Sequence, residues 1–248
     1  MVLSDPIVIF FLAIIVVVSL YVARFAQQQQ EKNMVRLYRL AALDRRRVQT
    51  KDLIRALRAM DEQPELMRVL NNSLKTDLEH MQSLDPARRD LEAELSQAQK
   101  AAGQGEPGKV GEMSEERKRK LIQGTSFDSD REVAINRQYI NETVKLLRRL
   151  HDASKLRSDL FESLSSYLAM LSVSVAVNSQ LNMGAKALQY GDRIKALGCF
   201  RKAEVSLQQG RLSTWERAQK QKEIAKRTQE LLDGSNDQQG LLLMAAGG

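Results

Sequence analysis

Chemistry-bearing side chains are scarce in this 248-residue chain, which has one cysteine (Cys199), two histidines (His80 and His151) and one tryptophan (Trp215). A lone cysteine excludes an intrachain disulfide and suits a reducing compartment. With only two histidines beside it, no His/Cys zinc cluster can be assembled. There is no G-x-S-x-G, no H-E-x-x-H and no Cys/His pair with a third orienting group, and the carboxylates are spread along polar stretches. The sequence therefore offers no catalytic, cofactor-binding or metal-ligating residue, and the expectation is a protein that is not an enzyme. Proline is also rare, at four residues, and aromatics make up 5% of the chain. Ala, Leu, Gln, Glu, Lys and Arg dominate instead, a composition of helix formers that predicts an all-α fold.

One long hydrophobic run stands out. Pro6 to Ala23 (PIVIFFLAIIVVVSLYVA) is almost unbroken hydrocarbon, and its length as a helix is about 27 Å against a bilayer core of ~30 Å. A secretory signal would need a positive n-region and a small-residue cleavage site. Asp5 precedes the run, no Lys or Arg does, and no A-x-A-like site comes after it, so the segment reads as an uncleaved transmembrane helix. Its downstream flank carries eight basic residues, Arg24, Lys32, Arg36, Arg39, Arg45, Arg46, Arg47 and Lys51, against Glu31 and Asp44. The positive-inside rule then places residues 1–5 outside the cell membrane and the rest in the cytoplasm. These basic residues are candidates for contact with anionic lipid headgroups. They also account for most of the net charge of +7, which removes the usual reason to suspect nucleic acid in a basic protein.

Proline and glycine punctuate the rest of the chain. Neither occurs between Pro6 and Pro64, so the anchor helix is expected to continue to around Met60 and to hold the next element off the bilayer. Pro64 fits a first helical turn, and Leu66, Val69, Leu70, Leu74, Leu78 and Met81 form one apolar stripe to Gln82. Asp85 before Pro86 repeats the signal for a third helix to about Ala102, anchored by Leu91 and Leu95 alone and so read as a solvated arm or coiled-coil-like partner. Residues 24–102 are thus juxtamembrane amphipathic helices, and residues 103–129 have the composition of a flexible linker. Gly103 to Lys109 (GQGEPGK) imitates a phosphate-binding loop. A polar helix precedes it where a strand is needed, and Val110 stands where a Ser or Thr would ligate magnesium. Arg117 to Lys120 (RKRK) sits beside Glu115 and Glu116 and reads as a solvated run.

Residues 130–233 are the most core-forming. Val133, Ile140, Val144 and Leu147 recur at helical spacing, and Leu160, Phe161, Leu164, Leu168, Leu171 and Val175 continue the pattern. LAMLSVSVAV raises the question of a second span, but Asn178, Gln180 and Asn182 close it early, so a buried core helix is expected. Further on, Gly184, Gly191-Asp192, Ala196, Phe200 and Ala203 place small residues where two antiparallel helices pack, a turn between them, and an aromatic in the groove. This stretch, about residues 180–209, resembles a tetratricopeptide repeat. It departs from the family pattern at Gln180, Met183, Ala187 and Gln208, which stand in place of Trp, Leu, Tyr and Pro, and no second repeat precedes or succeeds it. The resemblance implies a peptide-docking groove and protein partners. The plain alternative is a helical hairpin packed on the helices of 130–180.

Ser213 with Glu216 forms a capping box for a last helix to about Asp233. Its Arg211, Arg217, Lys220, Lys222, Lys226 and Arg227 make it basic, and residues 234–248 read as a flexible tail ending in LLLMAAGG. The sequons at Asn71 and Asn141 have no role in a cytoplasmic segment. Taken together, these features predict a single-pass membrane protein whose cytoplasmic helical region binds other proteins at the inner face, with self-association through amphipathic helices as a secondary expectation. The competing expectation is a membrane-tethered nucleic-acid-binding protein, serving chromosome maintenance or repair through the basic last helix.

Overall fold

A computed structural model describes residues 6–103, 124–210 and 217–231. Among these residues every regular element is a helix. The elements are α1 (Pro6–Met60), α2 (Pro64–Leu84), α3 (Asp90–Gly103), α4 (Asp130–Asp152), α5 (Ser158–Gln189) and α6 (Arg193–Gln209), succeeded by α7 (217–231). The chain forms two compact units, one of residues 1–51 and 71–100, the other of residues 52–70 and 101–248.

In the first unit α1 is unbroken from Pro6, as the absence of Pro and Gly predicts. Ile14, Ile15, Val16, Val17 and Val18 are each exposed. Five consecutive exposed residues cover more than one 3.6-residue turn, so this stretch is apolar around its whole circumference. Leu74, Leu78 and Met81 of α2 are buried, as are Leu91 and Ala98 of α3. The expected second anchor of α3, Leu95, is only half-buried, and Ala98, too small to register as an anchor, takes the buried position. Helix α3 also starts later than Asp85-Pro86 predicts. Arg88 accepts from Leu91 N–H and Arg89 from Glu92 N–H through their carbonyls, and the Arg88 guanidinium grips Asp90 with two hydrogen bonds of 3.4 and 3.1 Å. Asp90, in the first turn, therefore marks the true start.

The second unit is built on α5. Every residue from Ser174 to Leu181 is buried, so this stretch is packed on all sides rather than along one stripe. Its first half contributes Leu164, Tyr167, Leu168, Leu171 and Val175 to a cluster with Ile140 and Leu147 of α4, and with Leu57, Met60, Leu66, Met67 and Leu70. Its second half contributes Val177, Leu181 and Ala187 to a cluster with Ala196, Phe200, Ala203 and Leu207 of α6, and with Ile224 and Leu231 of α7. By length and composition alone, α5 is the one helix among the described residues searched that is long and apolar enough to cross a membrane, and half of its apolar window is buried inside the protein.

This packing corrects two expectations about organisation. Residues 52–70, placed with the juxtamembrane helices, belong instead to the core of the second unit, because Leu57, Leu66 and Leu70 are fully buried there. The end of the expected 103–129 linker is fastened down. The Thr125 hydroxyl donates to the Met60 carbonyl, Phe127 packs on the first cluster, and Phe127 N–H donates to Ser179 Oγ at 2.9 Å. Ser129 then caps α4 by accepting from Glu132 N–H at 3.2 Å. The phosphate-loop imitation beyond Gly103, the RKRK run, the Ser213 capping box and the 234–248 tail lie outside the described residues.

Candidate docking groove and polar cleft

Helices α5 and α6 are consecutive and pack against each other. A Cβ at Gly184 would stand 2.4 Å from Phe200 Cε1, so the ring occupies the space that glycine leaves open. Ala196, Phe200 and Ala203 are buried at 1% exposure or less. Gly191 stands in the turn between the two helices. It is exposed, with φ of +77°, and its N–H donates to Leu188 O while Asp192 N–H donates to Ala187 O, both at 2.9 Å. That pair of bonds is a Schellman motif, which needs a left-handed residue at this position. Asp192 then caps α6 by accepting from Lys195 N–H at 2.9 Å. Helix α5 begins at Ser158, well before Gln180, where the resemblance starts.

Where α4 meets this hairpin, a groove of about 440 Å³ opens, with Val133, Ala134, Ala176 and Val205 among its lining residues and Arg137, Arg201 and Lys202 beside them. Lys202 is committed to Asp130 at 2.8 Å, and the Gln180 amide donates to the same carboxylate at 2.6 Å. These two partners hold the Asp130 carboxyl below the usual carboxylate range, the lysine contributing most, and the same ion pair raises the Lys202 ammonium. Arg137 and Arg201 are exposed and have no ion pair among the described residues. Cys199 lies near this groove in sequence but is buried, and burial pushes its thiol up, away from the thiolate that redox or nucleophilic chemistry requires.

A second concavity, a cleft of about 420 Å³, has Ser126, Asn178, Asn182, Lys220, Glu223 and Arg227 among its lining. Lys220, one of the residues that make the last helix basic, has a side chain only 8% exposed. Its Nζ donates to Asn178 Oδ1 at 2.8 Å and to Glu223 Oε2 at 3.0 Å. Arg227 pairs with Glu223 Oε1 at 3.1 Å, and Arg217 donates to the Gly210 carbonyl at 2.9 Å. Among the described basic residues of α7, only Lys222 and Lys226 are exposed, and Lys226 faces Glu230 at 3.8 Å.

The basic residues after the apolar run also divide. Arg24, Lys32, Arg39, Arg45 and Arg46 are exposed. Arg36 pairs with Asp85 at 3.7 Å, while Arg47 and Lys51 converge on Glu94 at 3.6 and 2.8 Å. On one continuous helix, Arg45 to Lys51 stand about 33–42 Å along the axis from Ala23, whereas Arg24 and Lys32 stand within roughly 14 Å.

No family model, curated protein or solved structure matches this chain. The likeness to a tetratricopeptide hairpin therefore rests on the residues of α5 and α6 and the way they pack.

Proposed function

We propose that this protein is a membrane-anchored helical scaffold, not an enzyme, which docks protein partners on its α4–α5–α6 groove at the inner face of the cell membrane. The observation that carries this reading is the make-up of α1. Ile14 to Val18 present exposed apolar side chains around the full circumference, and the last turns of α1 place Leu57 and Met60 in the core of the second unit. The same chain thus carries a surface suited to lipid and a packed helical module. In this reading residues 6–23 cross the bilayer, with residues 1–5 outside and the module in the cytoplasm. Headgroup contact belongs to Arg24 and Lys32. Arg45 to Lys51 lie several Debye lengths of ~8 Å further along the axis, and Arg47 and Lys51 are occupied by Glu94.

The groove suits a partner helix or peptide with an apolar stripe flanked by acidic residues, since Arg137 and Arg201 border apolar side chains. Exposed Met34, Val35, Leu37 and Tyr38 support self-association along α1 as a secondary property. The nucleic-acid alternative loses support, because Arg217, Lys220 and Arg227 of α7 are spent on internal partners. A photo-crosslinking residue placed at Val205 in the membrane-inserted full chain tests the docking reading. The expected result is a crosslink to a discrete protein, lost when Arg137→Glu and Arg201→Glu are combined without loss of helix content. A crosslink indifferent to that charge reversal, or none, would contradict it.

A further inference from the structure

The polar cleft between α5, residues 124–126 and α7 is used by neither the anchor nor the groove. We infer that it binds the carboxylate of a small polar organic acid. Only 6% of the Lys220 surface is exposed, an expensive place for an ammonium unless opposite charge satisfies it. The carboxylate nearest to it, Glu223, is shared with Arg227: one oxygen takes Lys220 at 3.0 Å and the other takes Arg227 at 3.1 Å. Two cations therefore face one anion, and the cleft holds one surplus positive charge. Asn178 adds an independent mark. Its Oδ1 accepts from Lys220, yet its Nδ2 is buried and has no hydrogen-bond partner among the described residues.

An unpaired N–H donor beside a surplus positive charge asks for an acceptor that is also negative. A cation is repelled, and a neutral carbonyl satisfies Asn178 but leaves the charge uncompensated. A carboxylate meets both needs with its single charge, whereas a phosphate dianion would exceed the surplus and add its own desolvation cost. The volume of about 420 Å³ lies within the ~300–1,000 Å³ of small-molecule sites. Ser126, Asn182 and Gln219 on the walls favour a short hydroxylated acid over a fatty acid.

Isothermal titration of the detergent-solubilised full chain with sodium L-lactate tests the assignment, with inorganic phosphate as the comparison probe at matched ionic strength. The expected result is saturable binding of one lactate per chain, with phosphate weaker by about tenfold or more. Lys220→Met is expected to weaken lactate binding by at least about tenfold. Because that variant risks the fold, Asn178→Asp is the decisive one. It keeps the shape and the acceptor for Lys220, removes the free donor and supplies the missing negative charge. It is expected to abolish lactate binding while unfolding at or above the wild-type temperature. No saturable binding of lactate, phosphate bound as tightly as lactate, or wild-type affinity in folded Asn178→Asp would each overturn the proposal.

Discussion

At Gly184 the hairpin depends on a single missing methyl. A Cβ there meets the Phe200 ring at 2.4 Å, so Gly184→Ala is expected to cost about 1–3 kcal/mol through overpacking, and Phe200→Ala about 3–5 kcal/mol through a cavity. Urea unfolding monitored by circular dichroism would measure both. Gly184→Ala combined with Phe200→Leu should cost less than the two single changes added together, since the smaller side chain makes room for the methyl. This site was legible in the sequence because small residues at helical spacing have one physical use, letting backbones approach. Gly191, read as part of the turn, has the positive φ that such a turn requires. Lys220 was not legible at all. Its burial depends on Asn178, 42 residues away, and no local pattern announces such a partner. The same holds for Tyr167, whose hydroxyl donates to Asp61 Oδ2 at 2.7 Å across 106 residues.

Among the elements, the entry to α4 shows best what composition hides. Residues 124–129 are polar and Gly/Ser-rich, the signature of a linker, yet tertiary partners fasten them. Asp128 takes Lys186 at 2.7 Å and Asn182 at 2.9 Å, and Asp130 takes Lys202 and Gln180. Both carboxyls sit below their ordinary range, each chiefly through its lysine partner. Their contribution to stability is therefore complete above the unfolded value of ~3.9 and is lost as pH falls through the lower folded values. Lys202 is raised, so its contribution is complete below ~10.4 and is lost as pH rises through its higher folded value. The stability difference between wild type and Asp130→Asn should accordingly be flat between about pH 5 and 9. It should shrink below about pH 3, as thermal unfolding across pH would record. A difference that grows on acidification would contradict the pairing. Helix α5 presents the converse case. Its apolar run was readable as a core helix from the polar residues that interrupt it, but that two separate clusters share its length became visible only with α6 and α7 in place.

For the molecule as a whole, the all-helical class and the course of α1 to Met60 were legible in composition and in the spacing of proline and glycine. The division into units was not. A boundary at the 103–129 stretch assumes that neighbours in sequence fold together, whereas Leu57, Leu66 and Leu70 share a core with residues of α4 and α5. Each of these leucines is 0% exposed, and burying one is worth about 1.5–3 kcal/mol. A fragment of residues 130–231 should therefore be far less resistant to urea than one of residues 52–231, and equal midpoints would refute the shared core. That α1 is the anchor and α5 a core helix is tested most directly by alkaline carbonate extraction of membranes bearing the full chain or the chain lacking residues 2–23. The full chain is expected to stay in the membrane pellet and the shortened chain to be released. A shortened chain that remains in the pellet would make α5 the membrane-crossing helix and would overturn the assignment of α1 as the anchor.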